Sequence, residues 1–417
     1  MATHDELVHV LLALAAIVLS GLIVGRAIAR FGQPAVIGEM FAGIFLGPSL
    51  LGRIWPQGMQ FLLPASITPH LRVIAQIGVV LYMFLVGLEL DLTRLRDRAR
   101  SAVVISFSGI AVPLVLGSLL AGYLHRQLGP EHVPVFLFGA FFCVALSVTA
   151  FPVLARIVAD RKLEHTAMGV MALTCAAAGD IAAWCMLSIV VSFARSAPHQ
   201  GVWTVSFAAL YVLTMLGLVR PYVLRFVARQ AQADSLSRGT LAGLFIALLT
   251  SALITEWIGI HALFGAFLLG ALVPHDSKLA RSVIAKLEDV VAVLLLPVFF
   301  AATGLRMRLD LVSGEAAWFA CGLIVLAAFA GKFGGVFTAA RICGIDTRTS
   351  LGLGALMNTR GLMELIVLNV GLDLGIISPS LFTMMVIMAL ITTCAAGPVL
   401  SLLARRSAQQ DSAAVVL

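Results

Sequence analysis

Apolar residues in this chain come in long, nearly unbroken runs, and the polar residues collect in the short gaps between them. A run near 20 residues, wound as a helix, crosses a hydrocarbon layer about 30 Å thick. Thirteen such runs are expected, at 6–28, 33–50, 71–90, 101–124, 133–157, 165–194, 202–223, 239–254, 257–274, 283–305, 314–340, 348–372 and 378–403. The pattern predicts an all-α integral membrane protein, with residues 1–404 embedded and 405–417 left as a short tail.

Composition agrees with that reading. The 417 residues are 60% apolar and 12% charged, with mean hydropathy +1.04, against about one-quarter charged in an ordinary soluble domain. Almost nothing is left over for a soluble module, and no nucleic-acid partner is expected. The net charge of +7 matters less than where the cations fall. Twenty Lys and Arg lie in the loops of one side, among them Arg94, Arg96, Arg98, Arg156, Arg161, Arg341, Arg405 and Arg406, against six on the other, namely Arg53, Arg72, Arg126, Arg195, Arg306 and Arg308. The positive-inside rule then places the C-terminus in the cytoplasm and the N-terminus outside, which requires an odd number of spans. The leading MATHDELV has acids and no basic segment, so the first span is expected to stay rather than be removed as a signal peptide. Six cysteines without CxxC spacing predict packing residues, with neither a disulfide framework nor a thiolate metal site.

The two halves resemble each other. Ile44–Gly47 in the second span matches Phe267–Gly270 in the ninth at a spacing of 223 residues, and Gly87, Leu88 and Leu92 match Gly304, Leu305 and Leu309 at 217. Met171-Ala172-Leu173 with Cys175 in the sixth span matches Met388-Ala389-Leu390 with Cys394 in the thirteenth, about 219 apart. Partners lie seven spans apart, an odd number, so the halves cross in opposite senses. This predicts inverted five-helix repeats, about 33–194 and 257–403, with core helices at 101–194 and 314–403. Carriers built this way hold their site near the midplane, where equivalent helices of the two halves are broken. The breaks are expected at Ser147-Val148-Thr149-Ala150-Phe151-Pro152 in the fifth span and Asn358-Thr359-Arg360-Gly361 in the twelfth, with Thr149 and Thr359 equivalent. Pro152 removes a backbone donor and frees carbonyls for water or a cation. A Pro-kinked packing helix is the plainer alternative.

Ionisable groups inside the hydrocarbon cost about 2.5 to 3.5 kcal/mol on insertion scales and are commonly paired or functional. Asp180, in TCAAAGDIAAW with small residues before it, is the first candidate for an ion site. The alternative is an aspartate capped by neighbouring hydroxyls. Lys332, in AGKFGG, needs a counter-charge, and Asp180 is the natural one if the sixth and eleventh spans meet. Gly331 and Gly335 predict a face that lets another helix approach. Proton carriage by Lys332 and a structural role stay equally open. Arg360 and Glu364, four apart, are read as a structural ion pair. Glu39 sits mid-span without a clear role, Glu89 and Asp91 read as interfacial, and His261 is weak ground for a pH sensor.

GQPAVIGEMFAGIFLGP (32–48), GLELD (87–91), SVTAFPVLAR (147–156) and ALMNTRGLMELIVLN (355–369) resemble, in order and spacing, the motifs of the monovalent cation:proton antiporter-2 family. The resemblance runs nearly end to end. It implies crossed discontinuous helices, exchange of Na⁺ or K⁺ for H⁺, and a homodimer in the inner (plasma) membrane. It also implies that Asp180 is the ion-binding aspartate, Lys332 the core lysine, and Thr149, Ala150, Asn358 and Thr359 the unwound crossing segments. Thr149 then joins Asp180 in holding the transported ion.

The position before the key aspartate, an acid in the family's electrogenic members and often Asn or Gln in others, is Gly179 here. One carboxylate carries one proton or one monovalent cation, so electroneutral 1:1 exchange is expected. The chain stops about fourteen residues after the last span, so the nucleotide-binding domain of the potassium-efflux members is not expected within it. Rival readings are a sodium-coupled symporter of an organic anion, or a channel-like or non-transporting relative. No HExxH, GxSxG or GxGD-type motif points to an enzyme, and no cofactor is expected.

Overall fold

The computed structural model describes residues 2–31, 33, 35–89, 99–163, 166–194, 198–230 and 237–414, and among them all regular structure is helical. Asp91, Leu92, Arg94, Arg96, Arg98 and Arg195, and Gly32, Pro34 and Leu90 of the motifs, lie outside the described residues. Ten helices are long and apolar enough to cross a membrane, and the bent pair Thr347–Met357 and Leu362–Asp373 makes an eleventh span. Two shorter apolar helices, Val135–Ser147 and Ala262–Leu272, occupy the fifth and ninth expected spans. Among the described residues each expected run therefore contains a helix, and the chain is an all-α integral membrane protein.

Lengths differ from expectation for local reasons. The ninth run loses its first residues because Gly259, in the left-handed region at φ 93°, ends the helix Arg238–Ile258. The third segment starts early, since Pro56–Leu62 and the turn Ala65–Ile67 wind up ahead of Thr68–Glu89. The last helix, Pro379–Ala414, runs on through most of the expected tail.

The chain forms two compact units. The first comprises Met1–Leu22, Ala42–Thr93 and Trp184–Leu305. Within it, a Cβ added to Gly43 or Gly47 would strike the backbone of Phe300 or Gly304, and one added to Gly87 would lie 3.0 Å from Gly270 Cα. The second span thus packs backbone to backbone on the tenth, and the third on the ninth. The repeat equates Gly47 with Gly270 and Gly87 with Gly304, so the two seams are one contact seen from opposite halves.

The second unit comprises Ile23–Phe41, Arg94–Ala183 and Arg306–Leu417. It holds both broken spans. The helix Val135–Ser147 stops at Val148 (φ −62°, ψ 138°), and Phe151–Asp160 restarts with proline in its first two positions, where the missing N–H costs nothing. The second break passes through Asn358–Gly361, between Met357 and Leu362, and bends the span by 40°. The breaks meet, since the N–H of Ala150 donates to the Thr359 carbonyl at 3.2 Å.

Candidate functional site

A broken helix exposes carbonyls at its leading end and N–H groups where it restarts, each with a share of the helix dipole. Both ends of the first break are satisfied by buried charges from elsewhere in the second unit. Asp180, on the helix Ala167–Ala194 and only 3% exposed, accepts a hydrogen bond from the N–H of Phe151, at the start of Phe151–Asp160. An anion at a helix N-terminus is favourably placed.

The leading end is covered by cations. The Arg360 guanidinium donates to the carbonyls of Ala145 at 3.1 Å and Leu146 at 2.6 Å, and Lys332 Nζ donates to that of Ser147. Three successive terminal carbonyls are thereby satisfied by two side chains. Lys332 sits in a widened π turn, Ala330–Gly334, between Glu315–Phe329 and Gly335–Ile342. A Cβ on Gly331 would lie 3.1 Å from Pro113 Cα, and one on Gly335 would lie 3.1 Å from the Ser108 carbonyl, so this face meets the helix Ala99–Leu128 at close quarters. The Ser108 hydroxyl also donates to the Gly335 carbonyl at 2.9 Å. Lys332 and Asp180 attract each other through space, while the lysine's hydrogen bond goes to Ser147.

Arg360 and Glu364 form the expected pair at 2.7 Å, with both side chains fully buried. Glu364 also lies in the first turn of Leu362–Asp373, where an acid faces the positive end of the helix dipole and is stabilised by it. Backbone within the second break is held by Thr393, whose hydroxyl accepts from the Arg360 N–H at 2.7 Å. The hydroxyl of Thr359 turns back to the Leu356 carbonyl at 2.7 Å.

Six buried side-chain oxygens of this unit have no hydrogen-bond partner, on Gln33, Glu39, Thr149, Asp180, Asn358 and Glu364, and those of Thr149, Asp180 and Asn358 lie at or beside the breaks. A buried polar atom without a partner costs about 1 to 3 kcal/mol, and three at or beside a helix crossing are donors a small cation can use. The set joins the expected Asp180 and Thr149 with Asn358. Among the described residues no group of three His, Cys, Asp or Glu side chains gathers as a metal site. A Cβ on Gly179 would meet only Ser106 Oγ, at 3.7 Å, so this position has room for a side chain.

The remaining candidates have other surroundings. Glu39 is half-buried with Arg156 as its electrostatic neighbour. His261, in the first unit at φ 74°, stands 4.0 Å from Glu256. Thr393 and the Ser147 carbonyl went unread in the sequence. The buried pair Thr392-Thr393 in an apolar run was the available signal for the first, and a backbone oxygen offers none.

The model of the family described as sodium/hydrogen exchanger, transmembrane, matches residues 13–406. The Na(+)/H(+) antiporter NhaS4 of Synechocystis sp. is 44% identical over 386 residues, covering 92% of this chain and 94% of that protein. Cation/H(+) antiporter 20 of Arabidopsis thaliana is 38% identical over 378 residues, 88% of this chain, which spans 45% of the plant protein. Among solved structures, the sodium proton antiporter MjNhaP1 from Methanocaldococcus jannaschii at pH 8 shares the fold, with a TM-score of 0.69 over 96% of this chain and 98% of that one, at 14% identity. On that family model and the near full-length likeness to NhaS4, this chain belongs to the transmembrane sodium/hydrogen exchanger family.

Proposed function

We propose that this chain exchanges a monovalent cation, Na⁺ or K⁺, for H⁺ by alternating access around Asp180. The observation that carries the proposal is that three of the unit's six buried, unpartnered oxygens, those of Thr149, Asp180 and Asn358, lie at or beside the breaks. With Glu364 held by Arg360, the Asp180 carboxylate is the one that holds either a proton or a cation, and each ion excludes the other. That competition is the coupling. The second unit is the transport core, with Thr149, Ala150, Asn358 and Thr359 supplying the unwound segments and Arg360 with Glu364 fixing the second break. The carbonyl cap made by Lys332 supports its structural role over proton carriage. Because Gly179 adds no second acid, one proton moves per cation and exchange is electroneutral. The chain works as a homodimer in the inner membrane, with the N-terminus outside and the C-terminus in the cytoplasm.

Vesicles loaded with a pH-sensitive dye test the reading. Adding Na⁺ or K⁺ moves protons, and Asp180→Asn abolishes the response; a mutant that exchanges as well as wild type removes Asp180 from the site. Collapsing the membrane potential leaves the rate nearly unchanged, and strong voltage dependence sinks the 1:1 stoichiometry.

A further inference from the structure

Besides the usual contact of a helical threonine with the carbonyl four residues back, Thr393 has two hydrogen-bond contacts outside its own helix. Its hydroxyl oxygen accepts from the Arg360 N–H at 2.7 Å, and its single proton faces two acceptors, the Arg360 carbonyl at 2.8 Å and the Ala389 carbonyl of its own helix at 2.7 Å. Inside a break, backbone groups have no intrahelical partner and must find one elsewhere. Thr393 supplies both partners for Arg360. Its proton, however, has a fallback on Ala389 at equal distance, so the Arg360 carbonyl can be let go without leaving the hydroxyl proton bare.

We propose that Thr393 is a positioning residue for ion exchange, a releasable clamp that sets where Arg360 rests and through it how tightly the cation is held. The route is short. The clamped residue's guanidinium covers the carbonyls of Ala145 and Leu146, two residues before Val148 and next to the Ser147 carbonyl held by Lys332. Thr149 follows at once. Any shift of Arg360 moves the leading half-helix, and with it the Thr149 hydroxyl and the balance of charge around Lys332, which Arg360, Asp180 and Glu364 all face. The inference rests on the exchange reading above.

The neighbouring threonine supplies the control. Thr392 is equally buried, but its hydroxyl bonds only within its own helix, to Met388 at 2.9 Å and Ala389 at 3.2 Å. In dye-loaded vesicles, Thr393→Val raises the cation KM about tenfold, the scale set by orphaning one buried N–H, and displaces the pH profile. Thr393→Ser restores both, and Thr392→Val leaves both at wild type. Equal shifts from the two valine variants, or a wild-type KM and pH profile in Thr393→Val, overturn the clamp. If Thr393→Val yields too little folded protein, Thr393→Ala is read by the same criteria: a raised KM and displaced pH profile that Thr393→Ser restores support the clamp, and wild-type parameters overturn it. Wild-type protein that exchanges no cation at all fails the exchange reading instead, so the two failures are separable.

Discussion

The two broken helices occupy equivalent places in the repeats, yet their chemistry is opposite. The first break contains no charged residue, and its exposed ends are served from outside by Asp180, Lys332 and Arg360. The second carries its own cation, Arg360, paired with Glu364 in the first turn of the helix that follows, and is held by a neutral hydroxyl. Equivalent backbones give both halves a place to open. Two cations, Lys332 and Arg360, and two acids, Asp180 and Glu364, thus share one buried region, where opposite charges offset the repulsion of like ones. Arg360 holds Glu364, so Asp180 is the acid left over for the proposed exchange.

Breaking this contrast at its strongest point has the largest effect. Arg360→Met removes the buried partner of Glu364 and uncovers two carbonyls, so it lowers stability by about 3 to 5 kcal/mol, the usual cost of stranding one member of a buried pair. Thermal unfolding of the purified protein measures it, and an unchanged Tm means that Glu364 is neutral or re-paired. The equivalent threonines sharpen the contrast. Thr149→Val deletes an unpartnered oxygen and raises the cation KM about tenfold. Thr359→Val deletes a hydroxyl already engaged with Leu356 and leaves KM alone, at a stability cost of about 1 kcal/mol. Equal KM effects refute the division of labour.

The smallest effect lies at the entries to the two spans. Val135–Ser147 starts after Pro134 with no side-chain cap, while Thr347–Met357 starts with Asp346 accepting from the Thr349 N–H at 2.9 Å. That bond holds the Asp346 carboxyl below the usual aspartate range. Its stabilisation is complete above that range and fades as pH falls through the lowered value. Asp346→Ala costs about 1 kcal/mol at neutral pH. The gap from wild type, followed by thermal unfolding, closes in acid; a pH-independent gap assigns the effect to helix propensity instead.

Much of this was legible in the sequence because its signals are local. The thirteen apolar runs, Asp180 amid small residues and the four-residue spacing of Arg360 and Glu364 all depend on near neighbours. The crossing of the breaks needed the additional clue of a repeat. What stayed hidden depends on distant or backbone partners. Thr393 meets Arg360 across 33 residues, and Lys332 chooses a carbonyl that every residue possesses. The helical continuation over 405–414 escaped because a hydropathy window ends where polar residues begin, whereas a helix needs only its own hydrogen bonds to go on.

The glycine seams of the first unit have a mechanical meaning. Where Gly47 meets Gly304 and Gly87 meets Gly270, no side chain stands between the backbones, so no rotamer change can take up a displacement. Such a joint has no slack. It acts as a pair of rivets, since one helix cannot slide along the other there without moving backbone.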